Sequence, residues 1–153
     1  MRSYLKQNHM WQRIQTLYLG LAAAIVFAMF FCTFATIIGP DGTKITIVYS
    51  EKIAYLSLMI MMFIAQVAAA ASFKAFFLQA RVAVIAGLLA IGFQIWLGID
   101  ILRNMDGMSF NVTALFPLVA AALDFMAAQR SMVDEMTLQA VKSTRKSRRK
   151  RQK

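Results

Sequence analysis

The chain is poor in the residues from which most enzyme sites and secreted folds are built. It has one cysteine, Cys32, so no disulfide can form within it. It has one histidine, His9, which excludes a histidine-cluster metal site. Only seven of its 153 residues are acidic, and no pair of acids sits deep in an apolar run, as intramembrane acid proteolysis would need. There is no glycine-rich phosphate loop, and Ser57 and Ser72 have no base to activate them. The chain is therefore read as non-enzymatic, with no cofactor implied. Proline is equally scarce: Pro40 and Pro117 are the only two.

What is abundant is apolar surface. Hydrophobic residues make up 59% of the chain, where a soluble domain of this size is closer to half. The excess is gathered into four runs, about 14–38, 53–73, 82–102 and 112–129, each long enough to cross a bilayer as a helix. Once these spans and their loops are counted, no room is left for a separate soluble domain. The expected architecture is an all-α membrane protein, a bundle of four transmembrane helices (14–129) with a cytoplasmic N-terminus (1–13) and a basic cytoplasmic tail (130–153).

The first run follows Arg2, Lys6 and Arg13. It is too long for a signal-peptide core of roughly 7–15 residues, so it reads as a retained first span. Gly39-Pro40-Asp41-Gly42 is a strong breaker and is expected to end that helix. The β-branched stretch Thr43 to Tyr49 then predicts a short extended segment in the first external loop. In the third run Ala86, Ala90, Gln94 and Gly98 recur every four residues and share one face. In the fourth, Ala120, Asp124 and Ala128 do the same, which turns the carboxylate toward the bundle interior. Pro117 lies six residues into that run and predicts a kink.

Charge sets the topology. The N-terminus, the turn Lys74–Arg81 and the tail together hold fourteen Lys/Arg, against three (Lys44, Lys52, Arg103) on the opposite side. By the positive-inside rule both termini are cytoplasmic. The net charge of +10 belongs mostly to the tail. Residues 142–153 hold eight cations and no acid, and setting them aside leaves +2. Such a tail cannot bury a core and is expected to be disordered or transiently helical. Anionic lipid is its favoured partner, ahead of nucleic acid or the ribosome, because no aromatic is interleaved for base stacking.

Three places resemble one family. The first helix opens Met10-Trp11-Gln12-Arg13-Ile14-Gln15-Thr16-Leu17-Tyr18-Leu19. The turn holds Phe73-Lys74 and Leu78-Gln79-Ala80-Arg81. The last helix runs from Pro117 to Ala127-Ala128-Gln129-Arg130 and on to Asp134-Glu135. This is similar to an uncharacterised family of small four-helix inner-membrane proteins from Bacteroidota. Residues 1–9 precede that family's usual start, which marks Met10 as an alternative initiator. Val133 stands where a lysine is usual, and the tail is longer and more basic. The resemblance implies topology and localisation and carries no activity.

Asp124 is the sharpest candidate, because a charged group within a span costs a few kcal/mol and is a functional hypothesis by default. Its depth, nearer the cytoplasmic boundary than the midplane, favours structural pairing by Arg13 or Arg81, or a hydrogen bond from Tyr18 or Gln66, over a proton or ion relay. Gln66 and Gln94 read as interhelical hydrogen-bonding groups. Asp100 and Arg103 read as a surface ion pair. At the cytoplasmic boundary Gln12, Arg13, Gln79, Arg81, Arg130, Asp134 and Glu135 are expected to converge into one network. The function expected is an accessory or structural subunit of an inner-membrane complex. A small transporter or ion-coupled component using Asp124 is the alternative, and a membrane tether acting through the tail is a third.

Overall fold

The computed structural model describes residues 2–72, 75–103 and 108–151, with side chains from 14 to 148 within those ranges. Four helices dominate: α1 (Arg2–Met29), α2 (Ile53–Ala71), α3 (Phe76–Arg103) and α4 (Phe116–Arg151). Three short strands, β1 (Thr33–Ile38), β2 (Lys44–Val48) and β3 (Met108–Phe110), lie between them in sequence.

Each helix packs against two others, α1 on α2 and α4, and α3 on α2 and α4. The result is a ring of antiparallel neighbours in which α2 faces α4, and α1 faces α3, across the diagonal. Many small residues are buried between the helices, among them Ala22, Ala69, Ala83, Ala86, Ala90 and Ala120, alongside larger ones such as Met59, Met62, Phe93 and Leu97. Other large apolar side chains point outward, among them Leu21, Ile64, Leu88, Ile95, Trp96 and Leu118. Such an outer surface suits a solvent as apolar as the protein core, and the buried alanines allow close helix approach. α2, α3 and the helical stretch Val112–Arg148 are each long and apolar enough to cross a membrane. The protein is thus a membrane protein. The apolar part of α1, Ile14–Met29, is shorter.

The first apolar run is not one helix, as its hydropathy suggested. α1 stops at Met29, and residues 33–38 form the central strand of a three-stranded antiparallel sheet ordered β2-β1-β3. The reason is local composition joined to pairing. Thr33, Thr36, Ile37 and Ile38 favour extended backbone, and both edges of β1 find partners, Ile37 opposite Ile45 on one side and Met108 on the other. Gly39–Gly42 is therefore a hairpin turn and not a helix end. The Gly39 N–H donates to the Thr43 carbonyl at 2.9 Å, and Gly42 sits at φ 74°, a backbone region that glycine enters without steric cost. The extended segment expected near Thr43–Tyr49 is β2, and it is no longer isolated. The fold is helical with a small sheet capping one end of the bundle, which corrects the all-α reading.

That cap is held by aromatic packing. Phe34 of β1 lies 5.4 Å from Tyr49, 5.6 Å from Tyr55 of α2 and 5.6 Å from Phe110 of β3, ring centroid to centroid. Tyr55 in turn meets Phe93 of α3 edge-on at 5.5 Å. Pairs at such separations add about 0.5–1.5 kcal/mol each beyond their buried area. The start of α4 is tied to the same strand. Thr113 Oγ1 donates to the Thr33 carbonyl at 2.8 Å, and the Asn111 N–H to the Phe34 carbonyl at 3.2 Å.

Two further boundaries differ from expectation. α3 begins at Phe76, so most of the segment read as a cytoplasmic turn is helical; Phe-Phe-Leu-Gln-Ala-Arg holds no breaker. α4 begins at Phe116, preceded by a 3-10 turn at Val112–Leu115. Pro117 therefore lies in the first helical turn, where its missing N–H is not needed and no kink results. From there α4 runs unbroken to Arg151, which includes most of the basic tail. Phe73, Lys74 and residues 104–107 lie outside the described residues.

Candidate functional site

The deepest polar contact joins the diagonal helices. Asp124 of α4 and Gln66 of α2 are both fully buried, and Gln66 Nε2 donates to Asp124 Oδ2 at 3.0 Å. Ala120 and Ala128, one turn to either side on α4, are buried with it, as their spacing predicted. Small residues make the reach possible. The Cβ that Gly87 lacks would lie 3.1 Å from the Phe125 ring, so α3 approaches α4 as closely as a glycine permits. Among the described residues, Asp124 Oδ1 and Gln66 Oε1 have no hydrogen-bond partner. Of the four neighbours named for Asp124, Gln66 is the one that bonds it. Arg81 is exposed, its guanidinium carbon 4.0 Å from the centroid of the Phe77 ring. Tyr18 is half-buried against the cluster of Leu19, Ala69, Ala83 and Ala127. The Arg13 side chain lies outside the described residues.

Gln94 turns inward on α3, half-buried, with its Oε1 unbonded among the described residues. Gln79 is 1% exposed, and neither end of its amide finds a partner among them.

At the tail end, α1 and α4 are joined by a cluster that the spacing arguments missed. Gln15 Nε2 donates to Asp134 Oδ2, and Ser131 Oγ donates to Gln15 Oε1 at 3.2 Å. Gln15 and Ser131 are both buried. Gln15 was legible as part of the opening motif, but a lone glutamine near an apolar run gives no hint of its partner. Of the expected boundary network, Asp134 joins this cluster. Glu135 instead accepts from Gln139 within α4 at 3.1 Å. Arg130 is exposed on α4, and the Gln12 side chain lies outside the described residues. Among the described residues, Gln79 and Glu135 do not join this cluster, and the Arg130 charge acts on Asp134.

The sheet end holds the ion pair. Asp100 reaches across to α2, accepting from Lys52 Nζ at 2.9 Å and from the Tyr55 hydroxyl. Lys52 Nζ also stands 4.9 Å from the centroid of the Tyr55 ring and 5.6 Å from that of Phe34, a cation–π arrangement. The Arg103 charge expected to pair with Asp100 does act on it, and Lys52 and Tyr55 add an interhelical contact. Beside it, burial pushes the Tyr49 hydroxyl up to about 12.

These polar groups are spent on joining helices: α2 to α4 at mid-bundle, α1 to α4 at the tail end, α2 to α3 at the sheet end. A search of the curated proteins returns no match. A family model described as a domain of unknown function, DUF4293, matches residues 11–143. That span runs from Trp11 in α1 through all four helices to the first residues of the basic tail, and the chain belongs to this family.

Proposed function

We propose that the protein is an integral inner-membrane protein that crosses the bilayer four times with both termini in the cytoplasm, and that it serves as a non-enzymatic structural or accessory subunit of a membrane complex. The observation that carries this reading is the Asp124–Gln66 bond. The one carboxylate deep in the bundle is engaged as a fastener across the diagonal, between alanine-lined helices. Support for a fourth span comes from α1, whose Leu17, Leu21 and Phe27 are exposed on its outer surface as lipid-facing residues would be. The orientation follows from the cation count. Support for a partner comes from Gly20, Ala24 and Ala28, four residues apart and all exposed on α1, the spacing on which a second helix packs closely.

The test is purification in mild detergent with identification of co-purifying chains, repeated with Gly20→Leu. Nothing lies within 4 Å of the Cβ that Gly20 lacks, so the bundle should tolerate the leucine while a helix seated on that face is expelled. A wild-type protein that emerges alone and monomeric overturns the subunit reading.

A second reading, a proton- or ion-coupled component, is favoured by one observation: Asp124 Oδ1 is buried and unbonded among the described residues. Proton flux into liposomes that is abolished by Asp124→Asn would support it. Flux unaffected by that change would remove it.

A further inference from the structure

α4 does not stop at the membrane. No glycine or proline follows Pro117, and the helix continues without a break to Arg151. Residues 142, 145, 146, 149 and 150, all Lys or Arg, fall at i, i+3, i+4, i+7 and i+8, which places them on one face. Ser143, Thr144 and Ser147 occupy the other side, beside Arg148 and Arg151. Ser143 and Thr144 turn their hydroxyls back to the Ala140 carbonyl, at 2.8 and 2.9 Å.

A straight helix moves this basic face away from the bilayer. With the membrane boundary taken as late as Asp134, Arg145 to Arg151 stand about 16 to 26 Å further along the axis at ~1.5 Å per residue. The headgroup layer takes up about 6 Å of that. The remaining distance exceeds the Debye length of about 8 Å at physiological ionic strength. Between boundary and basic face come the acids Asp134 and Glu135, which further weaken attraction to anionic headgroups. The same face is unfavourable in isolation. Lys142–Lys146, Arg145–Arg149 and Lys146–Lys150 are like-charged i,i+4 pairs, and no acid follows Glu135 to relieve them. An extended polyanion lying along the helix removes that repulsion. The face carries no apolar or aromatic anchor of the kind that protein interfaces centre on, so the complementary surface is a row of phosphates.

We propose that the projecting end of α4 is a nucleic-acid-binding arm that grips the phosphodiester backbone without reading sequence. It rests on the proposed topology only in placing that arm in the cytoplasm, where RNA is abundant; the binding itself does not depend on orientation.

The experiment uses the full-length protein in nanodiscs, where both faces are open to solvent, with a short labelled RNA duplex as probe. Binding should weaken linearly in log salt, and the variant R145Q/K146Q/R149Q/K150Q should flatten the slope by about 3–4, roughly one unit for each lost phosphate contact. Unchanged thermal unfolding of that variant would show the bundle intact. In parallel, a fluorophore at Ser147→Cys in a Cys32→Ser background should escape a lipid-anchored quencher in phosphatidylglycerol nanodiscs. Affinity should be the same in neutral and anionic discs. A salt slope unmoved by the four substitutions overturns the proposal. So does strong quenching in anionic discs, which would assign the arm to lipid. Label accessibility of the tail in intact cells tests the topology separately.

Discussion

Gln66 and Asp124 sit on helices that face each other across the bundle, and the amide of one donates to the carboxylate of the other at 3.0 Å. Helix neighbours in the ring pack along their length and carry polar contacts near their ends, Gln15 to Asp134 and Tyr55 to Asp100, whereas this pair bridges the diagonal at mid-bundle.

Replacing Gln66 by Met should destabilise the bundle by about 1–2 kcal/mol, because the buried acceptor loses its donor while the volume is kept. Asp124→Asn should cost less, since an amide oxygen can still accept. Thermal unfolding in detergent measures both. Equal losses from the two substitutions would mean that charge, and not the hydrogen bond, is what the site needs.

At the sheet end the two donors to Asp100 should be unequal. The Lys52 side chain is 39% exposed, and a pair so wetted is worth about 0.2–1 kcal/mol. Tyr55 is 1% exposed, and a buried hydroxyl bonded to a charge is worth about 1.5–3 kcal/mol. Tyr55→Phe should therefore lower stability more than Lys52→Met, and only the Lys52 variant should lose a salt-sensitive contribution. Unfolding at low and high ionic strength distinguishes them.

Glycines at two positions should respond oppositely to the same added methyl group. At Gly87 the new Cβ lies 3.1 Å from the Phe125 ring, so Gly87→Ala forces α3 and α4 apart or turns the ring, at about 1–3 kcal/mol. At Gly20 the Cβ enters open space, and Gly20→Ala should leave stability unchanged or raised. Melting temperatures of the two variants side by side check the contrast.

Alkaline pH should loosen the cap. Burial raises the folded-state value of Tyr49 from 10.0 to about 12, so the folded form holds its proton more tightly than the unfolded form. That contribution is complete below pH 10 and is lost as pH rises toward 12. Stability followed from pH 9 to 12 should fall in wild type and stay flatter in Tyr49→Phe.

Much of this was readable from residue order. Long runs without charge identify membrane helices whatever they pack against, because lipid accepts any apolar face. The start of α2 at Ile53 falls where expected. The period of four in Ala120-Asp124-Ala128 and in Ala86-Ala90-Gln94 turned both faces inward, since helical geometry alone decides which residues share a side. Membership of an uncharacterised family was also legible, through the motif opening at Met10.

Pairing was not readable. Hydropathy cannot distinguish the apolar strand Thr33–Ile38 from the helix before it; the distinction depends on β2 and β3, which lie up to about 70 residues further on and complete the strand's hydrogen bonds. Gln15 gave no sign of Ser131 and Asp134, and Asp100 gave no sign of Lys52 and Tyr55. Pro117 became harmless once neighbouring contacts to Thr33 and Phe34 set the start of α4 at Phe116. Hydropathy and periodicity are properties of a segment and survive in isolation. The partner of a buried polar group is chosen by helices that meet only when the bundle closes, and that choice belongs to the tertiary structure.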